Sequence, residues 1–94
     1  MATIVFEREI EIIDVFKCQT VRTIDNVIDF EWRFYDQFIV MDQNYFLNLY
    51  QIDQEMPLLT LKAELETSLI EFNSSKTLLA SFSSTLNMIK VWTL

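Results

Sequence analysis

The chain has 94 residues, 51% of them hydrophobic, and fourteen acids against seven bases give a formal net charge of -7 with no Gly, no His, one Pro and one Cys. That length bounds it to one small domain, residues 1–94, and the apolar content excludes intrinsic disorder. The scarcity of Gly, Pro and Cys excludes collagen-like, low-complexity and disulfide-framework classes.

In chain order, Met1-Ala2-Thr3-Ile4-Val5-Phe6 lacks a basic region and meets Glu7 at once, so no signal peptide is expected there. Glu9-Ile10-Glu11-Ile12 alternates, and Ile13-Asp14-Val15 then switches the apolar face. A strand with a bulge near Ile12 and Ile13 does that, as does an N-terminal helix. The clearest strand is Val27–Tyr35, where Ile28, Phe30, Trp32 and Phe34 alternate with Asp29, Glu31 and Arg33. Phe38-Ile39-Val40-Met41 reads as a short strand buried on both faces, and Tyr45 to Ile52 alternates less cleanly but is rich in aromatics. Without Gly, the bends fall to Asp25-Asn26, Asp36-Gln37, Asp42-Gln43-Asn44 and Asp53-Gln54. These residue types favour type I turns or loops of three or more residues over Gly-dependent tight hairpins. Asp42-Gln43-Asn44 matches the opening of an EF-hand loop, but the central Gly is missing and Asp53 stands where Glu is required, so it is read as a turn.

The two halves differ in their apolar residues. All eleven Leu lie at position 47 or later, whereas twelve of the sixteen Ile and Val precede position 41. β-branched residues suit strands and Leu suits helices. From Pro57 onward, Leu58, Leu61, Leu65, Leu69 and Phe72 follow at spacings of 3, 4, 4 and 3, which predicts a helix ending at Asn73. Leu79, Phe82, Leu86 and Ile89 continue at 3, 4 and 3 and predict a second helix. The fold class expected is α+β: an N-terminal antiparallel meander of three to five strands, then two C-terminal helices packed on one face. The alternative is all-β, with a hairpin turning at Ser83-Ser84 and Leu86–Leu94 as its return strand.

The residues for catalysis are largely missing. Lacking His and Gly, the chain builds no Ser-His-Asp or Cys-His arrangement and no Gly-rich phosphate cradle, and a tetrahedral zinc site has no ligands. No cofactor and no metal site is expected. Carboxylate chemistry is open, but no spacing singles out a pair. Cys18 has no Cys partner and is read as a small hydrophobe.

Charge is the more informative pattern. Asp25, Asp29, Glu31, Asp36, Asp42, Asp53 and Glu55 form an acidic band opposed by Arg33 alone, while Thr77–Leu94 carries no acid and one Lys. An acidic surface repels phosphate, so direct nucleic-acid binding is not expected, and it attracts a basic protein. The apolar content exceeds what so small an interior holds, which predicts a homodimer through Leu79, Phe82, Leu86, Ile89 and Trp92. No run is long enough to span a membrane. The function expected is that of a non-enzymatic, cytoplasmic protein-binding module. A small acidic inhibitor of a nucleic-acid-handling partner, phage or mobile-element encoded, is one form, and an immunity protein against a basic toxin is another. The alternatives are a structural subunit of a larger complex and a small carboxylate-based enzyme.

Overall fold

The computed structural model describes residues 2–6 and 8–94. Among them ten strands follow one another without a helix: β1 (Ala2–Phe6), β2 (Glu9–Asp14), β3 (Gln19–Ile24), β4 (Val27–Phe34), β5 (Gln37–Asp42), β6 (Phe46–Gln51), β7 (Leu59–Lys62), β8 (Leu69–Phe72), β9 (Leu78–Ser83) and β10 (Met88–Thr93). Neighbours in sequence pair antiparallel within three sheets, β1-β2-β3, β4-β5-β6-β7 and β8-β9-β10. The α+β expectation is therefore corrected to the all-β alternative.

The correction has a local cause. The Leu spacing after Pro57 fits a helix, yet Leu58, Leu65 and Leu69 are exposed. Leu59 and Leu61 in β7, and Ile70 and Phe72 in β8, turn to the core at the period of a strand instead. Thr60, Thr67 and Ser68 are poor helix formers, and Glu66 has a left-handed φ of 62° that no helix accommodates. The second predicted helix is the β9–β10 hairpin. Leu79, Ser81 and Ser83 point inward at alternate positions, and the chain turns after Ser83.

Within the middle sheet β5 is buried on both faces, because it is apolar at every central position. Phe38 and Val40 pack with Ile10, Ile12 and Val27 against the first sheet. Ile39 and Met41 pack with Leu47, Leu49, Ile70 and Leu79 against the third. Two cores thus lie on opposite sides of one strand, and the molecule is a stack of three sheets. The face switch in β2 is a register shift between Ile12 and Ile13. Two further shifts in β4, at Ile28 and at Arg33, turn Ile28 and Phe34 to solvent and leave Phe30 and Trp32 on the first core.

Turns without Gly carry a cost at the backbone. Tyr45, Lys76 and Asn87 each donate an N–H to the carbonyl three residues back (Asp42, Asn73 and Ser84) and each has a φ between 53° and 65°. That is a turn closed by a left-handed residue, the place where Gly is usually found. Glu66 takes its left-handed φ one place earlier, as the third residue of the turn Glu64–Thr67, where Thr67 donates its N–H to the Glu64 carbonyl at 3.2 Å. Left-handed backbone costs a non-Gly L-residue about 1–2 kcal/mol, offset in part by the larger unfolded-state entropy of Gly. Glu66→Gly is therefore expected to raise stability by about 0.5–1 kcal/mol in urea unfolding. A loss of stability would show that the Glu66 side chain stabilises the turn by more than its backbone strains it.

Candidate functional site

An unbroken meander sorts its turns to two ends. The turns β2–β3, β4–β5, β6–β7 and β8–β9 share one end, and hydrogen bonds tie the last three of them together. Ile52 N–H donates to the Asp36 carbonyl at 2.9 Å. Gln51 donates to the Asp36 carboxylate at 2.7 Å. Arg33 Nε donates to the Lys76 carbonyl at 3.1 Å. The Arg22 guanidinium donates to the carbonyls of Gln54 and Glu55 and lies 4.4 Å from the Tyr50 ring centroid, so β3 is strapped to the β6–β7 loop.

This end exposes large side chains that turns do not ordinarily carry. Phe16 is 98% exposed, Tyr35 89% and Met56 76%, each on a different turn, with Val15, Phe34 and Leu58 exposed beside them. Asp53 and Glu55 are exposed among them. A groove of ≈ 440 Å³ runs between β3 and the β6–β7 loop, lined by Val21, Thr23, Ile52, Asp53 and Glu55. Cys18 is exposed on the β2–β3 turn rather than packed as a hydrophobe.

The acidic band divides among three places. Asp36, Asp53 and Glu55 lie at the end just described. Asp25 and Asp42 lie in the β3–β4 and β5–β6 turns at the opposite end, where Asp42 Oδ1 accepts the N–H groups of Asn44 and Phe46. Asp29 and Glu31 lie on the side of β4 that meets β8. Asp29 Oδ1 accepts Phe30 N–H, and its Oδ2 accepts Ile70 N–H, both at 2.8 Å. The self-association residues divide as well. Leu79 is fully buried in the second core and Trp92 packs against that core. Phe82 and Ile89 stand opposite one another on the outer face of the third sheet, and Leu86 is exposed in the β9–β10 turn.

Asp29 and Glu31 also line a cavity of ≈ 310 Å³ beside Arg8, Ile28 and Trp32. Partial burial, and after it the neighbouring Asp29, raise the Glu31 carboxyl above its ordinary value of 4.5; Lys76 opposes the rise and Glu71 adds to it. Between 4.5 and the raised value the folded chain holds more protons than the unfolded one. Stability from this group therefore falls as pH rises through that window, and the penalty is complete above it. Glu31→Gln is expected to stabilise the protein at about pH 7 by less than about 1 kcal/mol, because the group is only partly buried and solvent screens its charge. The gain should vanish below 4.5. An equal gain at both pH values would trace it to packing rather than charge.

Little of the negative charge is cancelled by ion pairs. Among the described residues one forms, Lys90 to Glu64 at 3.5 Å, between exposed side chains. Arg22 and Arg33 spend their guanidinium groups on backbone carbonyls and aromatic rings, Lys62 reaches the Asn44 carbonyl, and Lys76 lies over the Phe72 ring. The net charge of -7 is thus a field open to solvent, attractive to cationic surfaces. Comparison with known protein families and with curated proteins finds no match for this chain.

The sequence reading assigned no role to Phe16, Tyr35 or Met56. The signal was there: a bulky apolar side chain beside Asp14, Asp36 or Pro57, in a segment that turn chemistry reserves for small polar residues.

Proposed function

We propose that the chain is a protein-binding module without a catalytic role, which docks a basic protein through the end carrying Phe16, Tyr35 and Met56. The observation that carries the reading is the exposure of these three side chains on three turns at one end, where hydrogen bonds join the β4–β5 turn to β6 and strap β3 to the β6–β7 loop. Aromatic side chains held out in water on braced turns are the residue type that dominates binding energy in interfaces. Asp53 and Glu55 rim them and favour a cationic partner, speeding encounter at low salt. An inhibitor of a nucleic-acid-handling enzyme and an immunity protein against a basic toxin both have this chemistry.

The test is affinity capture from the source cells on the immobilised chain and on a Phe16→Ala/Tyr35→Ala chain. The expected result is a basic protein retained by the first and not by the second. Moderate salt should release it, since exposed charges are screened within about 8–10 Å at physiological ionic strength. A captured set that is unchanged by the double substitution overturns the reading.

A second reading, a small carboxylate enzyme, is favoured by the Asp29–Glu31 pair in its cavity and by the raised Glu31 pKa. It ranks lower because both Asp29 oxygens already accept backbone N–H groups, which leaves Glu31 as the one carboxylate free to move a proton. Glu31→Gln separates the two: capture survives it under the first reading, and any hydrolytic activity is lost under the second.

A further inference from the structure

We propose that two copies of this chain pair edge to edge through β10, antiparallel across a two-fold axis at Val91, to form a continuous six-stranded sheet. The inference is independent of the turn-end docking reading.

The backbone supplies the first argument. β10 is the edge of its sheet, bonded to β9 on one side only. Leu94 N–H donates to the Thr77 carbonyl at 2.8 Å, continuing the register in which Met88, Lys90 and Trp92 face Ser83, Ser81 and Leu79. In an antiparallel ladder the N–H and C=O of one residue point the same way and alternate along the strand. The even-numbered residues of β10 therefore bond to β9. Ile89, Val91 and Thr93 turn their N–H and C=O groups to the open edge, and among the described residues nothing pairs with them.

The side chains agree with the backbone. Ile89 is 69% exposed and Val91 57%, on the outer face of the sheet beside Phe82, Leu78 and Leu69. Unpaired edges are ordinarily blunted by shortness, Pro, bulges or charges. β7 is four residues long, and β3 carries Arg22 and lies opposite the bulge in β2. β10 has six residues, no Pro, no register shift and a single charge, Lys90.

Charge selects a second copy of this chain as the occupant. In a protein of net charge -7, self-pairing along β4 or β8 would bring Asp29 and Glu31, or Glu71, against their like, whereas Thr77–Leu94 carries no carboxylate, and a strand paired with its own copy across a two-fold axis matches its outward N–H and C=O groups with identical ones. The register follows from the same reasoning. Placing Val91 on the axis sets Val91 against Val91, Ile89 against Thr93 and Lys90 against Trp92 of the other copy. Each of the three outward-pointing residues then exchanges both its hydrogen bonds. The alternative with Lys90 on the axis sets two ammonium groups face to face, which is unfavourable. A six-residue strand is about 20 Å long and buries less than the roughly 800 Å² per partner of a permanent interface, so the dimer is concentration-dependent.

Sedimentation velocity on the full chain, from about 1 to about 300 μM, covers the range in which a micromolar equilibrium crosses from monomer to dimer. The expected result is a dimer that Val91→Lys weakens by about tenfold or more, because it places like charges opposite one another on the axis. Val91 is exposed, so the substitution leaves the monomer folded, which its circular dichroism checks. A second arm uses Cys18→Ser chains. Val91→Cys should oxidise to a covalent dimer much faster than Leu69→Cys, which places its thiol on the far strand of the same sheet. A monomer at every concentration, a dimer indifferent to Val91→Lys, or equal oxidation at the two positions each overturns the proposal.

Discussion

Phe38→Ala is expected to destabilise the fold by about 3–5 kcal/mol. Phe38 has no exposed surface and sits at the centre of β5, facing the first core. Its ring stacks between Phe30 and Tyr50, with both centroids 5.4 Å away, and meets Trp32 edge-on at 5.8 Å. The Arg22 guanidinium lies 5.7 Å from the same ring. Removing the ring leaves a cavity between two sheets and strips three aromatic neighbours of a partner worth roughly 0.5–1.5 kcal/mol each beyond area alone. A domain of this length holds about 5–14 kcal/mol in total, so the variant should stand near its unfolding threshold. Urea unfolding should show a large fall in midpoint with an unchanged slope. Phe16→Ala removes the same atoms from a residue already in water and should stay within about 0.5 kcal/mol of the parent. A cost below about 1 kcal/mol for Phe38→Ala would mean that the first sheet is not held to the middle one by this cluster.

The contrast between these two phenylalanines marks what the sequence makes legible. Phe38 stands in an uninterrupted apolar run, and such a run between turn residues has one good explanation, a strand covered on both faces. The bulge near Ile12 was equally visible, because the apolar face changes sides in the residues themselves. The bulges in β4 leave no such mark. Ile28 and Phe34 continue a perfect alternation, and their exposure follows from pairing with β5. The second half matches a helix in sequence and not in structure because β7 and β8 have four residues each, too few to show a period of two, while Leu at every third or fourth position meets the helical template across them. The left-handed turns at Tyr45, Glu66 and Lys76 were hidden because those residue types have no preference for that conformation. The acidic band was read from charge counts along the chain, which carry no information on faces. Asp29 leaves the solvent because of β8, which arrives 41 residues later.

That contact sets the second large effect. Asp29→Ala is expected to cost about 2–3 kcal/mol, because the carboxylate joins two sheets through charge-assisted hydrogen bonds. Oδ2 accepts the N–H of Ile70, on the edge of β8, and Oδ1 accepts the N–H of Phe30 in its own strand. Deleting the carboxylate strands a donor beside Ile70, a fully buried residue of the second core. A smaller gain runs the other way, since Glu31 loses the like charge that helps to raise its pKa. Asp29→Asn should cost nearly as much as Asp29→Ala. An amide offers one acceptor oxygen, and its NH2 group would face the other N–H donor. Two measurements separate this tie from simple packing. Unfolding midpoints give the size of the loss, and hydrogen exchange at the Ile70 amide reports the bond itself. Exchange there should accelerate beyond the global change in stability, because the donor opens to solvent while β8 is still paired with β9. If the Ile70 amide keeps its protection in Asp29→Ala, the seam between β4 and β8 is held by side-chain packing, and the Asp29 carboxylate is free to serve the cavity that it shares with Glu31.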